Sequence, residues 1–172
     1  MEQGSGAGSA GRDGEGAGAV SFRAAVRDDV DAIVGMLADD MLGRTRERYT
    51  RPLPAAYFEA FEAIDADPNI SLIVACRDGE VVGVVQLTLT PTLSYQGGWH
   101  ATIEGVRTSS PVRGQGIGSA LIRHAIGLAE ARGCHLVQLM TDKRREDAKR
   151  FYERLGFQAT HEGMKLHLRR PG

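Results

Sequence analysis

Residues 112–119, with the sequence VRGQGIGS, decide the fold of this chain because they join a predicted strand to a predicted helix through three alternating glycines. We call them the glycine turn. Glycines lack a Cβ atom, so backbone N–H groups in such a turn can approach a ligand closely. The first N–H groups of a helix have no acceptor within the helix, and the helix dipole adds positive charge there. Together with the charge of Arg113, these groups predict a site for an anion, above all a phosphate.

Other interpretations of the glycine turn remain open. The glycines would also suit a strand-to-helix turn that needs them only for packing. A dinucleotide-binding turn needs G-x-G-x-x-G and an acidic residue about 20 positions on. Asp142 meets the second requirement, but Ser119 stands in place of the third glycine and several strands precede the turn, which disfavours a nucleotide-binding oxidoreductase. A nucleoside triphosphate loop would need Gly-Lys-Ser/Thr, which the glycine turn lacks.

Composition bounds the class of protein. The chain has 172 residues, 42% of them hydrophobic and 25% charged, and a formal net charge of -1. This size predicts one domain, which we place at residues 20–170.

A near-neutral charge disfavours a nucleic-acid partner, and no apolar run approaches the ~20 residues of a membrane span. Two cysteines exclude a disulfide framework and predict a cytoplasmic protein. Met1–Ala19, rich in Gly, Ser and Ala, is expected to be a disordered tail.

The hydrophobic pattern predicts the element order β-α-α-β-β-β-α-β-α-β, a mixed sheet with helices on its faces. Asp28 is the expected N-cap of the first helix, and Met41 is expected at the end of its apolar face. Asp78-Gly79 predicts a hairpin turn. Irregular spacing in Trp99–Thr108 predicts a bulge or a strand buried on both faces. A last strand is predicted from three alternating apolar side chains, Met164, Leu166 and Leu168.

Two motifs, in this order, carry a family resemblance. The glycine turn resembles the R/Q-x-x-G-x-G/A motif of the GNAT superfamily of acetyl-CoA-dependent N-acetyltransferases, with Arg113, Gly116 and Gly118 at the fixed positions. Ala148–Phe157, AKRFYERLGF, is similar to the second signature of that family. The resemblance implies an α+β (mixed α/β) fold of the GNAT-like acyl-CoA N-acyltransferase type. Its central sheet would be mixed, mostly antiparallel and splayed between the fourth and fifth strands, with helices on both faces.

The resemblance also implies acetyl-CoA as cosubstrate. The pantetheine arm would lie between the splayed strands and pair with main-chain groups of Val106, Arg107 and Thr108, as an added strand does. The pyrophosphate would lie on the residues of the glycine turn, Arg113, Gly114, Gln115, Gly116, Ile117, Gly118 and Ser119. Charged residues, Lys143–Asp147, stand where many relatives carry Asn, so side-chain contacts to the coenzyme would differ there.

The implied reaction is direct transfer of the acetyl group to a primary amine of a small molecule, peptide or protein. Freeing an amine with a pKa of about 10.4 from its proton at pH 7 costs about 4.6 kcal/mol. Glu104, on the strand that would flank the acyl group, is the expected base, with His100 and a water relay as alternatives. Tyr152 is the expected general acid for the thiolate, although a core tyrosine would also fit its helix stripe. A non-catalytic acyl-CoA sensor or regulatory module of the same fold is the alternative function.

The partner predicted by this resemblance is an amine acceptor, and many relatives form homodimers. An acidic or phosphorylated acceptor would suit four arginines after the first helix, Arg44, Arg46, Arg48 and Arg51, although such a run of charge is also typical of a solvated face. Trp99 and Tyr95 are candidates for lining the acceptor mouth or for anchoring the loop that carries them. No nucleic acid and no membrane are expected as partners. No metal is expected either, because no strong zinc spacing is formed by the three candidates, His161, Glu162 and His167.

Overall fold

The computed structural model describes residues 18–168, so the tail predicted at the start of the chain lies, up to residue 17, outside the described residues. Five strands form one sheet in the order β1-β2-β3-β4-β5. Neighbouring strands are antiparallel except for the parallel pair β4 and β5. Their bounds are Ser21–Ala24 (β1), Ile70–Arg77 (β2), Glu80–Pro91 (β3), Trp99–Thr108 (β4) and Cys134–Leu139 (β5).

Helices cover both faces of this sheet. Short 3-10 turns at Arg27–Asp29 and Ser110–Val112 precede the first and fourth helices. The helix bounds are Val30–Ala38 (α1), Ala55–Ala66 (α2), the single turn Ser94–Gly97 (α3), Ile117–Ala131 (α4) and Glu146–Arg154 (α5). The predicted mixed, mostly antiparallel sheet with helices on both faces is confirmed.

Two hydrophobic cores lie on opposite faces of the sheet, because the side chains of each strand alternate between its faces. On one face, α4 packs against β3 and β4, with Leu87, Ile103 and Leu121 fully buried. On the other face, α1 and α2 pack against β2 and β3, with Val74 and Val84 fully buried. Burying a side chain of this size stabilises the fold by about 1.5–3 kcal/mol.

A β-bulge in β4 sets the direction of the side chains at the end of that strand. Gln86 pairs with Glu104 and Val84 with Arg107, so one residue of β3 opposes two residues of β4. Gly105 has φ +62, which a glycine adopts without steric penalty. As a result Val106 packs in the α4 core, whereas Arg107 faces the side of α1. The predicted irregularity of this strand is confirmed as a bulge, as is the hairpin turn at Asp78 (φ 51) and Gly79 (φ 83).

Two predictions for the first helix are wrong. Asp29, and not Asp28, stands at the N-cap of α1, because the 3-10 turn before the helix shifts its start by one residue, and the Asp29 side chain makes no capping bond to α1. The carboxylate of Asp29 accepts the N–H of Val26 at 2.8 Å. Met41 lies beyond the end of α1 with 68% of its surface exposed, and Met36 is buried in its place.

The predicted last strand does not form. Residues 164–168 pair with no strand in the part of the chain that the structure describes, and their apolar side chains are exposed, at 94% for Met164, 86% for Leu166 and 81% for Leu168. The alternation of apolar residues indicates one buried face, but the described residues supply no surface that covers it. Over residues 18–168, the helices are all too short or too polar to span a membrane.

Candidate active site

A gap opens between β4 and β5. The two strands pair from Trp99 opposite Cys134 to Ile103 opposite Leu139, where β5 ends. β4 continues for five residues, Glu104–Thr108, beyond that pairing. This is the predicted splay between the fourth and fifth strands. It leaves an edge of main-chain groups on which an extended ligand can pair like an added strand.

The glycine turn lies at the end of this gap, and its backbone is arranged as expected for an anion site. Gly114 (φ 79) and Gly116 (φ 82) have left-handed conformations that disfavour other residues. α4 begins directly after Gly116, and its first intrahelical bond runs from the N–H of Ala120 to the carbonyl of Gly116 at 3.0 Å. The amides of residues 117–119 therefore have no acceptor within α4.

The three glycines serve different purposes. A Cβ atom at Gly114 or Gly116 would meet no atom within 4 Å, so neither glycine is required by packing within the described residues. A Cβ atom at Gly118 would lie 3.6 Å from the ring of Phe151 and 3.8 Å from the Thr108 methyl group. Gly118 thus lets α4 approach α5 and β4, whereas the other two shape the open side of the glycine turn. Packing accounts for one glycine of the three.

The polar side chains of the glycine turn are held by neighbouring elements. Arg113 Nη2 donates to Asp39 Oδ2 at 2.9 Å, and its Nε donates to the carbonyl of Thr108 at 3.3 Å. Gln115 Oε1 accepts a bond from Arg77 Nη1 at 2.6 Å. A hydrogen bond from Ser110 and the charge of Arg113 lower the pKa of Asp39. Asp39 therefore stays ionised and anchors Arg113 beside the free amides of α4.

Tyr152 projects from α5 into a half-buried position. Its ring makes edge contacts with Phe151, at 5.1 Å between centroids, and with Phe157, at 5.9 Å. The N–H of Phe157 donates to the carbonyl of Tyr152 at 3.1 Å, which fixes the end of the helix. Burial raises the pKa of the phenol, while the charges of Arg107 and Arg145 act in the opposite direction. The phenol is therefore protonated at neutral pH and can act as a proton donor.

Two arginines from opposite sides of the gap meet at Asp40. Arg107, on β4, places its Nη2 3.5 Å from Asp40 Oδ2, and Arg145, just before α5, donates to the same oxygen. Burial disfavours the Asp40 carboxylate, but the charges of both arginines and the hydrogen bond from Arg145 lower its pKa overall. Asp40 and Arg145 were not expected from the sequence, since 105 residues separate them and no local pattern links them.

The two candidate bases lie on different parts of β4. Glu104 is exposed and pairs with Gln86 of β3. It lies in the stretch of β4 that does not pair with β5, beside the gap. His100 lies opposite Leu136 in the paired stretch, with its ring 6.4 Å from that of His135. Of the two candidate bases, Glu104 is therefore the one that borders the gap.

The structure does not bring the two aromatic candidates to the gap. The guanidinium of Arg132 lies 4.4 Å from the centre of the Trp99 ring, and Tyr95 stacks on His135 at 4.1 Å. Both contacts are at the start of β4, the opposite end from the glycine turn.

The predicted arginine cluster divides into separate groups. Burial is the main cause that lowers the pKa of Arg107, and the charges of Arg145 and Arg46 act in the same direction. Arg51 instead binds Asp31 at 2.6 Å. Among residues 18–168, no three His, Cys, Asp or Glu side chains are grouped so that they could hold a metal ion.

Comparisons with known proteins agree with this arrangement. Residues 35–157 match the model of the acetyltransferase (GNAT) family. The chain is 33% identical over 140 residues to the aminoalkylphosphonate N-acetyltransferase of Salmonella typhimurium, covering 81% of this chain and 86% of that protein. It is 34% identical over 90 residues to the glucosamine 6-phosphate N-acetyltransferase of Trypanosoma brucei brucei, covering 52% of this chain and 59% of that protein.

A solved structure shares the fold and much of the sequence. It comes from Bacillus halodurans C-125 and is described as a transcriptional regulator. The two chains are 59% identical, with a TM-score of 0.85, over 87% of this chain and 100% of the other. The family match, the two N-acetyltransferase relatives and the splayed sheet lead to one conclusion: the chain belongs to the GNAT family of acetyltransferases and is an acyltransferase.

Proposed function

We propose that this protein transfers the acetyl group of acetyl-CoA to the primary amine of a small molecule that carries a phosphonate or phosphate group. The observation that carries the proposal is the row of free amides at the start of α4, beside the open gap between β4 and β5. The free N–H groups and the dipole of a helix N-terminus bind phosphate groups. The unpaired edge of β4 in the gap can bind an extended ligand like an added strand.

The coenzyme would lie across both features. Its pyrophosphate would accept hydrogen bonds from the amides of the glycine turn, with Arg113 adding a positive charge held by Asp39. Its pantetheine arm would pair with the main chain of residues 106–108, which β5 leaves free. This arrangement would bring the thioester to the gap, between Glu104 on one side and Tyr152 on the other.

The chemistry then needs two proton transfers. The amine nitrogen attacks the thioester carbonyl carbon, a C–N bond forms, and the C–S bond breaks. The nitrogen loses a proton, which Glu104 accepts directly or through water. The leaving thiolate is stabilised by a hydrogen bond from the Tyr152 hydroxyl and takes its proton. Water then returns a proton to the phenolate and removes the proton held by Glu104. The raised pKa of Tyr152 makes the phenol a weaker acid but keeps it protonated at the start of each turnover.

The class of acceptor is supported by two kinds of observation. The Salmonella relative is named for an aminoalkylphosphonate and the Trypanosoma relative for glucosamine 6-phosphate, and both names describe an amine with an anionic phosphorus group. In this chain, Arg107 and Arg145 place two positive charges near Tyr152. One guanidinium group can donate two parallel hydrogen bonds to two oxygens of a phosphonate or phosphate.

An acceptor screen tests the proposal. The purified protein is mixed with acetyl-CoA and a panel of aminoalkylphosphonates, amino-sugar phosphates and neutral amines, and thiol release is followed with mass analysis of the products. We expect thiol release and an acetylated product with phosphonate or phosphate amines. Thiol release with neutral amines alone would contradict the acceptor class, and no release with any amine would contradict the reaction.

A non-catalytic acyl-CoA sensor is the second candidate, because the Bacillus halodurans relative is described as a transcriptional regulator. A sensor would bind acetyl-CoA in a calorimeter and release no thiol with any acceptor. An enzyme would do both, so the two assays together separate the candidates.

A further inference from the structure

We infer that Arg107 and Arg145, whose guanidinium groups meet at Asp40, form the subsite that binds the phosphonate or phosphate group of the acceptor and so select anionic amines. We call this pair the anion subsite. The inference rests on the proposed acetyl transfer, and it assigns the selection of the acceptor to two side chains.

The anion subsite is assembled by three separate elements. The bulge at Gly105 directs Arg107 to the α1 face of the sheet, and Arg145 reaches the same point from the residue that precedes α5. Asp40, just beyond α1, joins them and is itself fixed by the amides of Leu42 at 3.1 Å and Gly43 at 3.2 Å. Because each member belongs to a packed element or is held by one, the two guanidinium groups are positioned before a ligand arrives.

The charges at this point do not cancel. Asp40 carries one negative charge, while Arg107 and Arg145 contact it and Arg46 lies close enough to act on Arg107. Nε of Arg107 is buried and makes no hydrogen bond with any of the described residues. A buried donor of this kind is costly unless it is satisfied. Nε of Arg77 is buried and unpaired among the described residues in the same way, so the excess of positive charge is what distinguishes the anion subsite.

The burial of these two arginines distinguishes them from the surface pairs of the chain. Their side chains are 18% and 24% exposed, whereas Arg51 and Arg144, which also bind carboxylates, are 72% and 69% exposed. Charges that are screened less by water attract an anion more strongly. We therefore expect these two guanidinium groups to attract an anion more strongly than Arg51 or Arg144 does.

The position of the anion subsite fits a short amine. The charges of both arginines reach the Tyr152 phenol, so a group bound to them lies near the proposed acid. An open surface depression lies beside Arg145, and the carboxylates of Glu146 and Asp147 also line it. The acceptor would therefore approach from this open side, with its anion on the two guanidinium groups and its nitrogen directed over a short alkyl chain toward the gap.

The glycine turn provides a separate site for the phosphates of the coenzyme. Arg113 is bound to Asp39, whereas Arg107 and Arg145 are bound to Asp40. The two adjacent carboxylates thus hold two distinct groups of cations. We assign the first group to the coenzyme and the second group to the acceptor.

The test compares Arg145→Gln with Arg123→Gln as the matched control. Arg123 is exposed on α4, on the opposite face of the sheet from Asp40. The acceptors are 2-aminoethylphosphonate and its diethyl ester, which keeps the amine but removes the negative charge. For Arg145→Gln we expect KM for the free phosphonate to rise about 10- to 100-fold, with kcat changed by less than about 3-fold, because one charge-assisted contact is lost. KM for the diester and for acetyl-CoA should stay within about 2-fold, as should all values for Arg123→Gln.

Direct binding keeps this test independent of turnover. Calorimetry with 2-aminoethylphosphonate should show a Kd at least about 10-fold weaker for Arg145→Gln than for the unmodified protein or Arg123→Gln, and Arg145→Lys should restore part of the affinity. The inference is overturned if the unmodified protein does not bind the phosphonate. It is also overturned if Arg145→Gln raises KM equally for the phosphonate and its diester, or if the variant weakens acetyl-CoA binding in place of acceptor binding. If binding follows the expected pattern but no amine is acetylated, the proposed reaction fails and the anion subsite stands.

Discussion

Two opposing effects act on the pKa of the Tyr152 hydroxyl group. Burial against Phe151 and Phe157 disfavours the phenolate and raises the pKa, while Arg107 and Arg145 favour the phenolate and partly offset the rise. The net rise means that the phenol keeps its proton beyond pH 10, the usual range of tyrosine. A phenol with this property stays protonated at any physiological pH, so it can always donate a hydrogen bond to the leaving thiolate.

The substitution Tyr152→Phe removes that proton and leaves the packing of the ring. We expect kcat to fall about 100-fold, a typical contribution of a general acid, and Kd for acetyl-CoA to change by less than about 2-fold. Steady-state kinetics and calorimetry give the two values. Tyr95→Phe is the control, since Tyr95 stacks on His135 far from the gap, and it should retain full activity. Unchanged turnover in Tyr152→Phe would remove Tyr152 from the mechanism.

A second residue-scale prediction concerns Gly116. Valine at φ 82 is strained by about 1–2 kcal/mol, and its side chain would project into the open side of the glycine turn. We expect Gly116→Val to abolish acetyl-CoA binding in a calorimeter. Gly127→Val is the matched control, because Gly127 is an exposed residue of the same helix with open space around it. If Gly116→Val binds the coenzyme as tightly as Gly127→Val does, the glycine turn is not the phosphate site.

At the residue scale, the sequence predicted some of the candidate site and missed the rest. Glycines and a following amphipathic helix are adjacent in the chain, so the glycine turn could be predicted from local pattern alone. The contact of Asp40 with Arg107 and Arg145 could not, because it joins residues 67 and 105 positions apart. Such a contact depends on the tertiary fold, and a single charged residue in a sequence carries no sign of its partner.

At the element scale, the junction between β1 and α1 depends on one buried carboxylate. Asp29 accepts two bonds from Arg23, one at 2.6 Å and one at 2.9 Å, as well as the N–H of Val26. The hydrogen bonds from Arg23 are the main reason that the pKa of Asp29 is lowered, and burial acts against them. Asp29 therefore ties the first strand to the start of the first helix.

Asp29→Asn should lower the free energy of unfolding by about 2 kcal/mol at pH 7, less than a fully buried pair would lose because Arg23 is 42% exposed. Urea unfolding measures this change. Asp31→Asn is the control, since the Asp31–Arg51 pair is largely exposed, and it should change stability by less than about 0.5 kcal/mol. Equal losses in both variants would contradict the role given to Asp29.

The lowered pKa of Asp29 also predicts how stability depends on pH. In the unfolded state Asp29 has a pKa of about 3.9 and takes up a proton near that pH. In the folded state its pKa is lower, so the carboxylate is still ionised at that pH. The stabilisation is thus complete well above pH 4 and is lost as the pH falls through the lowered folded-state value. Asp29→Asn should lose less stability than the unmodified protein between about pH 4 and pH 2. Parallel acid curves for the two proteins would contradict this.

The sequence predicted those elements whose signals are local. The Asp-Gly hairpin and the glycine turn with its following helix both depend on neighbouring residues, and the structure has each of them. The predicted strand at residues 164–168 failed because alternation shows only that one face should be buried. A strand also needs a neighbour, and the described residues pair none with it.

At the scale of the whole molecule, the fold places the two proposed anion sites around one gap. Asp39 binds Arg113 of the glycine turn, and the adjacent Asp40 binds Arg107 and Arg145. The end of α1 therefore connects the proposed coenzyme site with the proposed acceptor site. Coenzyme binding should stabilise the elements that meet there, β4, α4 and α5.

This arrangement predicts a thermal shift. Acetyl-CoA at about 100 times its Kd should stabilise the folded protein by about 2.7 kcal/mol, which corresponds to a rise in Tm of about 5–10 °C for a chain of this size. Differential scanning fluorimetry measures the shift, and NAD serves as the control ligand. A shift with NAD in place of acetyl-CoA would favour the dinucleotide interpretation of the glycine turn.

The most direct test is a crystal structure of the protein grown with acetyl-CoA. We predict that the pyrophosphate oxygens lie within hydrogen-bonding distance of the amides between Gly116 and Ser119, with the thioester in the gap between β4 and β5. Coenzyme bound elsewhere, with the glycine turn empty or filled by neighbouring side chains, would contradict the account.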